Sequence, residues 1–162
     1  IDNVEPCQAG QPWEWEGVRF EILHPPPSGF SGDDASCVLK VEGTAGRVLL
    51  PGDIETGAEM ALARTYGHGL AAEVLVAPHQ GRRNLSTPAF LNAVQPRYIL
   101  FATGYHNRYG YPRADTVARY QSTGAILLDS SYEGALTFRL EPGQPLEPER
   151  YRQEHRRYWI TQ

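Results

Sequence analysis

The chain has 162 residues, 41% of them apolar, and a formal charge of −4. That length suits one domain with a real core. No apolar run approaches the roughly 18–20 residues of a membrane span, no secretory leader pattern is visible, and the net acidity excludes a uniformly basic nucleic-acid binder. Ile1 stands where an initiator Met would and the text opens mid-element, so the chain is expected to be a fragment of a longer protein, whose remainder could be membranous.

Residues 13–23 alternate polar and apolar, with Gly17 as a turn, which predicts two short strands, 13–15 and 18–23. Pro25, Pro26, Pro27, Ser28, Gly29 and Gly32 then mark a loop. Strands over 36–41 and 47–50 form an expected hairpin. A helix is expected over 56–65, where Ala58, Ala61 and Leu62 recur at helical spacing and Gly67 and Gly69 end it.

The uncharged run 74–77 reads as a strand buried on both faces. Ser86-Thr87-Pro88 predicts the start of a short helix through Ala93. Further along, 98–102 reads as a buried strand, 114–123 as a helix, 125–129 as a strand and 134–140 as the last strand. Pro142, Pro145 and Pro148 are expected to end the globular part, leaving residues 1–141 as the folded portion and 142–162 as a charged tail with a peripheral helix from Glu149. Hairpin strands followed by strands alternating with helices indicate an α+β or α/β fold, a mixed sheet with flanking helices.

Charge is unevenly placed. Between Val74 and Leu128 lie Arg82, Arg83, Arg97, Arg108, Arg113 and Arg119 against the single acid Asp115. A positive rim there would favour a phosphate-bearing substrate. The plainer alternative is that scattered Arg solvates a surface, since 14 of the 15 basic residues are Arg. Cys7 and Cys37 lack metal spacing; they either pair in an oxidising compartment, the favoured expectation, or are two thiols in the cytosol.

Two motifs break out at strand ends. In Leu49-Leu50-Pro51-Gly52-Asp53-Ile54-Glu55, a carboxylate follows a tight turn, where its two oxygens could bridge divalent ions; the alternative is that Asp53 caps the helix that follows. In Val74-Leu75-Val76-Ala77-Pro78-His79-Gln80-Gly81, His79 is a candidate metal ligand or general acid or base, or else a structural histidine. His24, His68 and His155 read as surface residues. Residues 103–112 gather Tyr105, His106, Asn107, Arg108, Tyr109 and Tyr111, a density that suits phosphate or base contacts.

Taken in order, these residues resemble one family. The series runs Trp13-x-Trp15-x-Gly17-Val18-x-Phe20, Leu23-His24-Pro25, Ser36-Cys37-Val38-Leu39, Leu49 to Glu55 with Glu59, Glu73 to Gly81, Pro96, Asn107-Arg108-Tyr109-Gly110-Tyr111-Pro112 and Gly134-Ala135-Leu136. It is similar to the C-terminal half of the metallo-β-lactamase-like domain of ComEC-type DNA-internalisation competence proteins. The resemblance implies part of an αββα sandwich, a membrane protein of natural transformation facing the periplasm or exterior, and a hydrolase that degrades one strand of incoming DNA. It implies Asp53 as a carboxylate bridging divalent metal, Zn or Mn, in the parent protein. His79 remains a candidate ligand, although Gln80 holds the family's more usual ligand position. His79 and Tyr111 are the candidate catalytic residues, and Arg82, Arg83, Asn107 and Arg108 the candidate contacts to DNA phosphates. The implied partners are DNA, the rest of the channel protein and other competence machinery.

The sequence departs from that family in three places. The acid-and-histidine cluster of the first half is absent, the family's His-His-Gly-Ser reads His79-Gln80-Gly81-Arg82, and its Gly-His-Pro reads Gly110-Tyr111-Pro112. Hydrolytic zinc sites use at least three protein ligands. The expectation is weak metal binding and little nuclease activity from this chain alone, or a non-catalytic DNA-guiding module.

Overall fold

The computed structural model describes residues 6–155. Its main sheet has seven strands in strictly sequential order: β1 (Gln11–Trp15), β2 (Val18–His24), β3 (Val38–Gly43), β4 (Gly46–Leu50), β5 (Val74–Val76), β6 (Tyr98–Phe101) and β7 (Ile126–Asp129). The first four form an antiparallel meander; β4 to β7 run parallel. Tight turns suffice for the former, whereas each parallel pair needs a crossover. Helices α1 (Thr56–Tyr66), α2 (Pro88–Val94) and α3 (Ala114–Gln121) supply them. The mixed α/β architecture expected from the sequence is the one observed. Among the described residues no helix is long and apolar enough to cross a membrane.

All three crossover helices pack on one face of the sheet. Ala58 and Leu62 of α1, Phe90, Leu91 and Val94 of α2 and Tyr120 of α3 share a core with Leu23, Val38, Leu49, Leu75, Ile99 and Phe101. Because side chains alternate along a strand, the neighbouring positions build the opposite face. Val48, Val74, Tyr98, Leu100 and Leu128 form a second cluster there, on the side away from α1, α2 and α3. Leu136, Phe138, Leu140 and Leu146 cover one end of that face. Two glycines make room: a Cβ on Gly43 would lie 2.8 Å from Leu140, and one on Gly46 2.8 Å from Leu146.

The rest of that face is apolar and is left uncovered by the described residues. Cross-strand register aligns Trp13 with Phe20 and Val41, and Ile22 with Leu39 and Leu50. The Trp13 and Phe20 rings stack at 5.1 Å, and Trp15 is 67% exposed.

Several expectations are corrected at the C-terminal end. Only Leu136–Thr137 of residues 134–140 is a strand (β8), and it pairs with β9 (Glu149–Arg150), not with the main sheet. The chain past Pro142 does not leave the globule, because Leu146 is buried and Glu147 Oε2 accepts a hydrogen bond from the Tyr98 hydroxyl at 2.6 Å. From Glu149 the chain first forms β9 and then a short helix, α5 (Tyr151–Glu154), so the expected helix begins two residues later; α4 (Ser130–Glu133) lies upstream. The remainder of the tail lies outside the described residues. His24 is also no surface residue: it is buried beside Phe30, and its Nε2 lies 2.7 Å from the Asp34 carbonyl. A histidine before a proline run looks solvated in sequence, yet this one ends a strand beneath the 25–35 loop. Cys7 and Cys37 are joined as a disulfide, tethering the segment before β1 to the start of β3.

Candidate functional site

Parallel strands deliver their C-terminal ends to one side of a sheet, which is where α/β folds place functional loops. Leu49 pairs with Leu75, so the Gly52-Asp53 turn after β4 and the Pro78-His79 turn after β5 emerge side by side. The His79 backbone N–H donates to the Gly52 carbonyl at 3.1 Å, which joins the two loops. Gly52 has φ +61, and a Cβ there would press on Ser36 and on the Cys37 carbonyl at 3.1 and 3.3 Å. The Asp53 turn is therefore seated against the disulfide-bearing segment.

His79 and Gln80 both take left-handed backbone conformations, with φ of 47 and 55. Consecutive non-glycine residues there are strained and persist only where the surroundings hold them. Gly81 closes the turn against Pro112 and the Phe101 ring, and its carbonyl accepts from the Arg113 N–H at 3.0 Å. This turn aims the His79 ring at two carboxylates: Nδ1 is 3.8 Å from Asp53 Oδ1 and Nε2 is 3.5 Å from Asp33 Oδ2. Asp33 comes from the 3-10 turn Gly32–Ala35 and was not singled out in the sequence; an acid pair in a Gly-rich loop carries no signal of where it folds. Asp33 also lies 3.8 Å from Arg82, which makes a shorter ion pair with Glu55 at 3.0 Å.

The capping alternative for Asp53 is settled by its neighbour in space. Asp34 Oδ1 accepts from the backbone N–H of Glu55 at 2.7 Å and of Ala58 at 3.1 Å, so Asp34 caps α1. Gly57 leaves room for it, since a Cβ there would come within 2.6 Å of the Asp34 carboxylate. The Asp53 side chain is half exposed and free of that duty.

Glu59, one turn into α1, is fully buried and holds the loop beyond the arginines. Its two oxygens accept from the Ser86 and Thr87 N–H groups at 2.5 and 2.7 Å. Burial pushes its carboxyl up, against the pull of those two N–H groups and of Arg119. Ser86 in turn contacts the buried Tyr120 hydroxyl, whose ionisation burial also opposes.

The expected phosphate ligands divide in two. Arg82 and Arg83, with Tyr111 and Arg113, line an open depression of about 400 Å³, and the Tyr111 ring lies 6.3 Å from that of His79. Arg83 is 69% exposed and only 3.7 Å from Asp115, while Arg108 and Arg113 have no ion pair among the described residues. Asn107 differs: its amide Nδ2 donates to the Tyr111 carbonyl at 2.7 Å and its Oδ1 accepts from the Tyr111 N–H at 2.9 Å. Its polar atoms are engaged in shaping the loop.

A divalent metal does not fit these residues by themselves. Among the described residues no three His, Cys, Asp or Glu side chains are grouped to hold an ion, and Gln80 sits exposed beside the one imidazole. His79 and Arg82 both lie against Asp33, at 3.5 and 3.8 Å.

No protein-family model matches the chain. Competence protein ComA of Neisseria gonorrhoeae is 39% identical over 136 residues, covering 83% of this chain. Recombination protein 2 of Haemophilus influenzae is 32% identical over 129 residues, covering 79%. ComE operon protein 3 of Bacillus subtilis is 24% identical over 137 residues, covering 84%. This chain is related to competence proteins. It spans 20%, 16% and 18% of those relatives' own lengths, so the likeness concerns one segment of each. The competence relationship expected from the ordered motifs is thus met by independent likeness over most of the chain.

Proposed function

We propose that this chain is one layer of a metallo-β-lactamase-like αββα sandwich within a DNA-uptake protein of natural transformation, and that its strand-end face meets the phosphate backbone of incoming DNA. The observation that carries the contact is the placement of Asp53 and His79 beside a depression lined by Arg82, Arg83, Tyr111 and Arg113. Exposed cations in a concave surface bind phosphates without reading sequence. The apolar sheet face through Trp13, Phe20, Ile22, Leu39 and Leu50, which the described residues leave uncovered, supports the sandwich, because such a face needs a covering layer. The disulfide supports a location on the periplasmic or exterior side of a membrane protein.

Donor count separates binding from cleavage. Asp53 and Asp33 flank His79, but among the described residues no three donors are grouped to hold an ion, as a hydrolytic zinc site requires, so the chain alone binds DNA and does not cut it. Nuclease action by the longer protein requires further donors from its remaining sequence. A second reading, a DNA-guiding module with no cleavage in any context, is favoured by Gln80 in place of a second imidazole.

Two measurements test this. The isolated chain should show salt-dependent DNA binding and no cleavage with Mn²⁺ or Zn²⁺; robust cleavage abolished by Asp53→Ala would sink the reading. In the full-length protein, metal-dependent cleavage lost in Asp53→Ala supports the nuclease, and intact DNA uptake without any cleavage supports the guiding module.

A further inference from the structure

Residues 104–112 form a braced aromatic shelf beside the arginine depression. Asn107 closes the loop through both hydrogen bonds to the Tyr111 backbone, and the N–H groups of Asn107 and Gly110 donate to the carbonyls of Gly104 and Asn107. The braced loop presents its rings outward: Tyr105 is 65% exposed and Tyr109 52%. The Tyr109 and Tyr111 rings stack at 5.7 Å with planes 18° apart, and the Arg108 guanidinium lies 4.8 Å from the Tyr109 ring centre. Tyr111 also walls the depression, with the Arg113 guanidinium 5.5 Å from its ring. A column of flat groups therefore leads from the cationic depression out to solvent.

Tyr105 and Tyr109 keep more than half of their surface in solvent, so burial contributes only part of what full enclosure would and does not by itself account for a loop that displays them. Flat π faces beside guanidinium groups suit unpaired bases, each stacking contact being worth enough to dominate sequence-independent binding. A duplex hides its base faces and offers such a surface only phosphates. Fixing the loop beforehand removes an ordering cost that a flexible loop would incur on binding.

We propose that residues 104–112 are a stacking platform for unpaired bases, so that this face takes single-stranded nucleic acid. The phosphates lie in the Arg82, Arg83 and Arg113 depression and the bases on Tyr105 and on the Arg108–Tyr109–Tyr111 column. This rests on the DNA-contact reading above and adds which form of the strand is held.

The test is fluorescence anisotropy of the whole chain with three probes at one salt concentration: labelled oligo-dT, an abasic oligomer of the same length, and a blunt hairpin duplex. Oligo-dT should bind about tenfold more tightly than the abasic strand or the duplex. Tyr105→Ala and Tyr109→Ala should each weaken oligo-dT binding about tenfold and leave abasic binding unchanged, whereas Arg83→Gln should weaken both. Equal binding of oligo-dT and the abasic strand by the unaltered chain overturns the platform and leaves the phosphate contact standing, and this comparison needs no variant. Tyrosine variants that fold and keep full oligo-dT affinity also overturn it. Failure of all three probes to bind overturns the platform and the DNA-contact reading together.

Discussion

The backbone N–H of His79 donates to the carbonyl of Gly52 at 3.1 Å, so the turns carrying Asp53 and His79 are one structural unit. Neither loop can move without breaking that bond or the packing of Gly52 on Ser36. Asp53 is thereby held half exposed beside an imidazole, at the edge of a cationic depression.

The division of labour between Asp34 and Asp53 predicts unequal stability effects for two aspartates near the same helix. Asp34→Ala removes the acceptor for the Glu55 and Ala58 N–H groups and should cost about 1–2 kcal/mol in urea unfolding. Asp34→Asn should recover most of that loss. Asp53→Ala should stay within about 0.5 kcal/mol, as befits an exposed side chain with no structural hydrogen bond. A large loss in Asp53→Ala would return the capping role to Asp53.

Glu59 predicts a pH dependence whose sign follows from its burial. Desolvation raises its folded value above the ordinary 4.5, although the Thr87 and Ser86 N–H groups oppose the shift. The native chain then holds a proton over a range where the unfolded chain has released it. Its contribution is full below about pH 4.5 and declines as pH rises towards the raised folded value. The stability difference between the unaltered chain and Glu59→Gln, followed by denaturant unfolding, should therefore fall with pH across that window and then level off. A difference that grows with pH would mean that the two N–H groups outweigh burial. Glu59→Ala, which strands two buried donors, should cost about 2–4 kcal/mol.

Gly81 predicts a site-specific steric effect. A Cβ there meets Pro112 at 2.8 Å and the Phe101 ring at 2.9 Å, at a φ of +81. Gly81→Ala should cost about 2–4 kcal/mol, the sum of backbone strain and overpacking. Gly124→Ala has a similar φ of +77 but open space around it, and should cost about 1 kcal/mol. Thermal unfolding of the two variants separates strain from contact.

Local pattern carried most of the elements. Alternation along residues 13–23 and the apolar runs at Val74 and Tyr98 placed strands correctly, the first starting two residues earlier than expected, and Thr87 caps α2 through the Phe90 N–H as Ser-Thr-Pro suggested. The pattern failed at residues 134–140, read as one strand, where only Leu136–Thr137 is strand and Leu136, Phe138 and Leu140 pack on the open face of the sheet. Prolines there looked like an exit from the fold because they mark irregular backbone, and irregular backbone can still bury Leu146.

The sequence by itself determined the strand-end positions of Asp53 and His79, because apolar runs fix where parallel strands stop and where their loops begin. Only the tertiary structure decided what surrounds them. Asp33 and Asp34 are adjacent in sequence, yet one faces His79 and the other caps α1, because the 3-10 turn points neighbouring side chains in different directions. Asn107 and Arg108 are likewise adjacent, one bracing the loop and the other lying over Tyr109. Which side chains remain open to a ligand depends on which hydrogen bonds the folded loops need, and that is settled by contacts between segments distant in the chain.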